Sequence, residues 1–421
     1  MSLGDHFHRT LPATESPDFN RLWLAGTASS ISLWTLLLGN AWVVFKLSDS
    51  SGWVAVAVFA SMFPFLLAPI GGIVADRFER RRLLVMTRFF SIGGAAVLLA
   101  IALTGILAVW MVIVMALLLG LIRAAETPAD QALLANVVPQ SAVANAVTLS
   151  TTTRLGSRAV GPLLAGPLLE TMGVEGAYGI ALMFSIAAFV FVLPVSTRSR
   201  GGVESLRAAG DVVTSLGEGL SYVVRTGPVA AIFVIVVAHC VLTMSFDSML
   251  PGFADHELHS PTNGFTILSL GVGLGAFFGT LALAILSGGR RGMLFLATIL
   301  ISGGGPIFLA TSTNIASAAA AATVMGASQA MAMALAAVFL QEVVHDAVRG
   351  RVMSLYLMSA GGLMAFANLG FGSLADWLGA PALLLVPGVI FVAIVLGSIP
   401  TSPHLRRIYG TGTLVPAPAA T

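Results

Sequence analysis

Arg123, Glu126 and Asp130 fall at i, i+3 and i+7 inside an otherwise apolar run. On a helix that spacing places all three on one face. Arg154 and Arg158 follow at i and i+4 in the next helical stretch. Ionisable side chains in so apolar a setting are costly and mark function by default. Their chemistry has two parts. A carboxylate among them could take up and release a proton, with Glu126 the more deeply placed acid. The surplus arginine could hold a carboxylate, catecholate or phosphate on a ligand. The same five residues also satisfy a purely structural reading, as ion pairs that fix helix packing.

Single polar residues in other apolar runs are candidates for lining a cavity: Trp34 and Asn40 in the first, His239 in the seventh, Gln329 in the tenth and Asn368 in the eleventh. A lone histidine such as His239 serves packing more often than proton transfer. Asp247 lies two helical turns beyond His239 and could titrate from the outer side. The segment Asp255-His256-Glu257-Leu258-His259 offers four candidate metal ligands, but zinc sites need more constraint than that. No metal and no cofactor is expected. The chain holds no GxxxxGK[ST] nucleotide loop, which argues against a built-in ATPase, and no catalytic triad or zinc-protease spacing, so an enzyme is not expected.

These residues must be positioned by membrane helices. The chain has 421 residues, 57% hydrophobic and only 10% charged, with a mean hydropathy of +0.94. A soluble domain carries about 25% charged residues; this chain has too few to cover a water-facing surface. A soluble enzyme, a nucleic-acid-binding protein and a disordered chain are excluded on that count. The one cysteine, Cys240, cannot form an internal disulfide. The lipid bilayer is therefore the main partner, with no nucleic acid.

A span needs roughly 20 apolar residues. That ruler predicts twelve, near 21–45, 53–75, 83–104, 107–134, 145–169, 176–195, 228–250, 265–287, 293–311, 316–340, 354–375 and 381–400. From the outer end near Leu107, Arg123 would lie about 24 Å deep and Glu126 about 28 Å. Arginines fix the expected orientation. Arg77, Arg80, Arg81, Arg82, Arg198, Arg200, Arg207, Arg290, Arg291, Arg349, Arg351, Arg406 and Arg407 fall in alternate loops and the tail. The intervening loops hold Lys46, the only lysine, against Asp49, Glu170, Glu175, Asp255, Glu257 and Asp376. By the positive-inside rule both termini are cytoplasmic.

The polar stretch 196–227 divides the spans six and six, and a short interfacial helix is expected around Val203–Leu216. The expected organisation is a cytoplasmic segment 1–20, a six-helix bundle 21–195, a cytoplasmic linker 196–227, a second bundle 228–400 and a tail 401–421. A repeat supports the division. Val138–Gly173 aligns without a gap on Val344–Gly379, pairing Leu149 with Leu355, Gly166 with Gly372, Glu170 with Asp376 and Gly173 with Gly379. Parallel six-helix repeats are one architecture of transporters, with the substrate near the midplane between them. Gly271, Gly275 and Gly279 form two GxxxG steps that read as close helix packing.

The segment Gly72-Ile-Val-Ala-Asp76-Arg77-Phe-Glu79-Arg80-Arg81-Arg82 resembles the second inner loop of the major facilitator superfamily, with Glu79 where a second glycine is usual. Span five carries Gly161-Pro162 followed by Ala165-Gly166, which looks like the span-five signature of drug:proton antiporters, with Ser157 and Ala165 replacing glycines. Arg123 resembles the span-four arginine of the same antiporters. Across its N-terminal half the chain is most similar to the bacterial siderophore and macrolide exporter branch.

The resemblance implies an all-α integral membrane fold of twelve transmembrane helices in two six-helix pseudo-repeat bundles. Gly72, Asp76, Arg77, Arg80, Arg81 and Arg82 would form a gating loop. Gly161, Pro162 and Gly166 would shape a bent, tightly packed span five. The function implied is alternating-access export of a small amphipathic or anionic compound by proton antiport, from the bacterial inner membrane, by a monomer. Rival readings are a lysophospholipid flippase of the same fold, a non-transporting membrane receptor, and an importer.

Overall fold

The computed structural model describes residues 12–67, 78–197, 212–286 and 290–411. Among them there is no strand. The helices are α1 (Pro17–Ser48), α2 (Ser51–Met62), α3 (Arg80–Leu103), α4 (Val109–Asn136), α5 (Val143–Met172), α6 (Val174–Val192), α7 (Val212–Arg225) and α8 (Gly227–Leu242). They continue with α9 (Leu250–His256), α10 (Asn263–Leu286), α11 (Arg291–Ala310), α12 (Ile315–Val343), α13 (Asp346–Met358), α14 (Met364–Leu378), α15 (Ala380–Thr401) and α16 (Pro403–Thr411).

All twelve stretches expected to span are helical over most of their described length. Among the described residues, nine helices are long and apolar enough to cross a bilayer, or ten if the bent pair α7–α8 counts as one. Two of the expected stretches fall outside that count. The second is described only as far as Leu67, residues 68–77 lying outside the described set, and within it the apolar helix counted runs from Ser51 to Leu66. The fifth stretch, α5, is helical throughout, but Thr151-Thr152-Thr153, Arg154 and Arg158 make it polar. Trp377, Ile285, Trp110 and Phe89 are all more than half exposed, as lipid-facing side chains are.

The chain forms two compact units. The first comprises Met1–Val43 and Phe63–Gly210, and the second Val44–Met62 and Asp211–Thr421. In the first unit α3 packs on α6 and α4, and α5 on α6. Polar ties fix these pairings. Ser32 donates to the Ala181 carbonyl at 2.8 Å and bonds Ser185 at 2.8 Å. The buried Tyr178 hydroxyl donates to Asn40 at 2.9 Å. Asp18 accepts from the backbone and hydroxyl groups of Ser196 and Thr197, pinning the chain after α6 to the start of α1.

In the second unit α10 and α12 pack most closely. A Cβ at Gly275 would collide with the Thr323 carbonyl, and one at Gly279 would lie 2.7 Å from Ala327 Cα. The GxxxG steps are therefore a backbone-to-backbone contact surface, as their spacing predicts. Of the interfacial helix expected at Val203–Leu216, residues 212–216 are helical as part of α7, which continues to Arg225 before the break at Thr226-Gly227-Pro228; residues 198–211 lie outside the described set. α7 turns 107° into α8 and is tied to α13 by Glu218 and Arg351 at 2.7 Å. The stretch Val44–Met62, read from sequence with the N-terminal bundle, clusters with the second unit because α2 lies along α14.

The sequence repeat has a backbone counterpart. Gly173 ends α5 and Gly379 ends α14, with φ +71° and +79°. Only glycine adopts such angles readily, and both joints turn directly into the next helix.

Candidate functional site

A cavity of about 270 Å³ lies in the first unit. Arg88, Arg123, Glu126, Asp130, Arg154 and Arg158 supply its ionisable lining, and Trp23, Trp34 and Phe65 its aromatic lining. All five charged residues of the spacing argument line this cavity. Helical periodicity brings Arg123, Glu126 and Asp130 to one side of α4, and α5 presents Arg154 and Arg158 to the same space.

The residue that organises the cluster is Arg88 of α3, which the sequence reading passed over. Its guanidinium is 2% exposed and lies 3.3 Å from Asp130 and 3.5 Å from Glu126. It also donates to the Ala25 carbonyl. The sequence carried a usable signal: Arg88 stands inside the third apolar stretch, a full turn and more beyond the basic run Arg80–Arg82. Proximity to that run disguised it as one more loop arginine.

The remaining contacts graduate from fixed to open. Ser29 donates to Glu126 at 3.1 Å, and Arg123 donates to the Ser29 carbonyl at 3.2 Å, so both α4 residues are tied to α1. Arg154 reaches Asp130 only at 3.9 Å, with 45% of its side chain exposed. Arg158 lies over the Trp34 ring, 4.9 Å from its centroid, an attraction between cation and aromatic face. Trp23 donates to Thr153 at 2.8 Å. Four arginines thus face two carboxylates around one cavity.

Gly161 explains how the walls come together. A Cβ there would lie 2.8 Å from Trp34 Cβ and 3.0 Å from the Thr35 nitrogen, so glycine is what lets α5 meet α1. Pro162 and Gly166 are buried beside it in the same helix.

Other sequence candidates lie elsewhere. Asn40 is bound to Tyr178, outside this cavity lining. His239, Gln329, Asn368 and Asp247 belong to the second unit. There His239 bonds Ser302 at 2.7 Å and stacks on Phe391, and Gln329 donates to the Thr243 carbonyl at 2.9 Å. Asn368 meets Ser248. These form a buried polar seam that supports α8 against its neighbours. Of the gating loop, Gly72, Asp76 and Arg77 lie outside the described residues. Arg81 donates to the Leu193 carbonyl at 2.7 Å, Arg80 opens α3, and Arg82 is exposed. Of the segment 255–259, Asp255 and His256 gather with Asp49, their candidate ligand atoms all within 4.8 Å of one another.

The model of the transmembrane secretion effector family of major facilitator proteins matches residues 10–405. The chain belongs to that family. Macrolide efflux protein A of Streptococcus pyogenes is 23% identical over 393 residues, covering 90% of this chain and 94% of the relative. The staphyloferrin A transporter of Staphylococcus aureus is 23% identical over 368 residues, covering 86% and 91%. Among solved structures, a POT family transporter in complex with 5-aminolevulinic acid superposes with a TM-score of 0.72 at 13% identity, covering 92% of this chain and 96% of that one. That likeness shows the fold alone. The chain is therefore a multi-pass membrane protein of a bacterial major facilitator transporter family, with efflux-type homologues.

Proposed function

We propose that this transmembrane secretion effector is a secondary active exporter of the bacterial inner membrane. It would work by alternating access and exchange a small amphipathic compound, drug-like or siderophore-like, for protons. The observation that carries the reading is Arg88 clasping Glu126 and Asp130 at the wall of an aromatic-lined cavity. Carboxylates held this way remain paired when ionised and yet open onto the space a substrate would occupy. Trp23, Trp34 and Phe65 supply apolar surface for its body. Proton exchange requires substrate and proton to exclude each other. An uncharged or cationic amphiphile that needs ionised Glu126 and Asp130 meets that requirement directly.

The arginine surplus favours a second reading, in which the cargo is an anion. Each proton on Glu126 or Asp130 removes a negative charge from beside the ligand, so anion and proton would load together. Outward passage of an anion is instead driven by the membrane potential, worth ~2.3 kcal/mol per charge per 100 mV. Both readings treat Arg154 and Arg158 as ligand contacts and Arg88 as the residue that holds the acids in place.

The test is flux in reconstituted vesicles, with a pH gradient and an electrical gradient imposed separately. Uptake into inverted vesicles driven by the pH gradient, and lost in Glu126→Gln, supports proton exchange. Flux driven only by the electrical gradient supports the anion reading. No flux of any compound from a broad panel would overturn the transport function itself.

A further inference from the structure

α2 and α14 run antiparallel and touch at three levels. Midway, Gly372 admits α2 so closely that a Cβ there would collide with Ala55 and lie 2.8 Å from Ser248 Oγ. At the other end Phe59 meets Phe366 edge to face, with ring centroids 5.0 Å apart. At the start of α2, Asp376 accepts from the Ser51 backbone nitrogen at 2.7 Å, the Gly52 nitrogen at 3.1 Å and the Ser50 hydroxyl at 2.5 Å.

The first turn of a helix leaves its N–H groups without partners within the helix and concentrates positive potential there. Asp376 answers both needs from another helix, more than 320 positions along the chain from Ser51 and Gly52. The contact is also easy to reverse. Its bonds to Ser50 and Gly52 are solvent-exposed, so water can replace them as they break. Below it, Ala55 and Gly372 present small surfaces that do not interlock. Strong at close range and cheap to release is the energetic profile of a catch. The buried Arg88 pair, which cannot rehydrate where it stands, has the opposite profile.

By the arginine-derived orientation this end of α2 faces outward. We propose that Asp376 is a positioning residue of the transport cycle: it latches α2 against α14 while the outer side is closed, and its release is a required step in outward opening. The proposal rests on the alternating-access reading. It concerns residues outside the lining of the charged cavity and assigns a role to Asp376, which the sequence alone reads as an outer-loop charge.

The reporter is Ser51→Cys in a Cys240→Ser background, since Ser51 is 5% exposed beneath the contact and the substitution keeps its backbone donor. Right-side-out vesicles are treated with a membrane-impermeant methanethiosulfonate, and the initial labelling rate is read by mass spectrometry. Asp376→Asn, which weakens the charge-assisted bonds, is expected to raise the rate roughly fivefold or more. Asp376→Glu should restore a slow rate, and Ser50→Ala should fall between. Thermal unfolding of each variant separates opening from general loosening. An unchanged rate in Asp376→Asn overturns the catch, as does a rise matched by an equal rise at a second buried reporter, Ala318→Cys, built alone in the same Cys240→Ser background. Labelling needs no substrate. Absence of gradient-driven flux in the parent protein therefore overturns the transport reading, while the labelling rates still decide the catch.

Discussion

Arg88 and Asp130 meet at 3.3 Å although they come from helices 42 positions apart in sequence. The guanidinium also lies 3.5 Å from Glu126, so one buried cation serves two acids. Removing one member of a buried ion pair leaves an uncompensated charge and typically costs about 3–5 kcal/mol. Arg88→Met is expected to destabilise the protein by about that amount in detergent unfolding. Adding Asp130→Asn and Glu126→Gln to the same chain should recover much of the loss. If Arg88→Met unfolds like the parent, the arginine does not hold the acids.

Arg154 stands at the other extreme, half in the cavity and 3.9 Å from Asp130. Exposed ion pairs contribute about 0–1 kcal/mol, so Arg154→Gln should leave stability nearly unchanged while altering ligand affinity. Calorimetric titration of purified protein with naphthalene-1,5-disulfonate, an aromatic dianion that stays ionised, would show the difference. The anion reading predicts binding that weakens tenfold or so in Arg154→Gln, about 1.4 kcal/mol. Full-strength binding to that variant removes Arg154 from the ligand site.

The same probe reads the sign of proton linkage. Protonation of Glu126 or Asp130 subtracts negative charge next to a bound anion, so under the anion reading its affinity should rise as the medium is acidified. A neutral or cationic amphiphile that competes with protons should do the reverse. In Glu126→Gln with Asp130→Asn either slope should flatten. A slope that survives both substitutions places the titrating group elsewhere.

Much of this site was legible before the fold. The apolar runs announced membrane helices, and the i, i+3, i+7 spacing alone placed Arg123, Glu126 and Asp130 together. Three facts were hidden for a physical reason. Periodicity shows which face of a helix is polar but not which helix it meets. Arg88 therefore read as an extension of the basic loop, although a charge that deep in an apolar run was itself the warning. Asp376 read as an outer-loop charge, because nothing local to it shows that the start of α2 is its partner. The membership of Val44–Met62 in the second unit was hidden likewise. The span-five motif, by contrast, was visible as a signature and acquired its cause only from the distance between Gly161 and Trp34.

That distance makes a sharp prediction. At Gly161 the hypothetical Cβ lies 2.8 Å from Trp34 Cβ and 3.0 Å from backbone atoms of Trp34 and Thr35. Backbone cannot step aside as a flexible side chain can, so α5 and α1 must separate. Overpacking of this kind costs about 1–3 kcal/mol. Gly161→Ala should therefore lower the unfolding midpoint and reduce flux, since Trp34 and Arg158 ride on the two helices that separate. Normal stability with normal flux in Gly161→Ala would show that the helices yield there without consequence.

The repeat can be tested through its two turns. Gly173 and Gly379 both end a helix with φ near +75°, at +71° and +79°, and ψ of −160° and 146°. This is a region essentially closed to residues with a Cβ, and occupying it costs of order 1–3 kcal/mol. Neighbours do not explain the need at Gly379, where the nearest foreign atom to a Cβ is 3.7 Å away; the backbone angle does. Gly379→Ala and Gly173→Ala should each destabilise the protein to a similar extent, since Glu175 Oε2, 2.7 Å from a Cβ at Gly173, is the tip of a flexible side chain that can move aside. Gly370→Ala, in the middle of α14 with nothing within 4 Å of the added atom, should be neutral or slightly stabilising through better helix propensity. If all three behave alike in thermal unfolding, then the matched glycines are a coincidence of composition, and the turns they make are not what the repeat preserves.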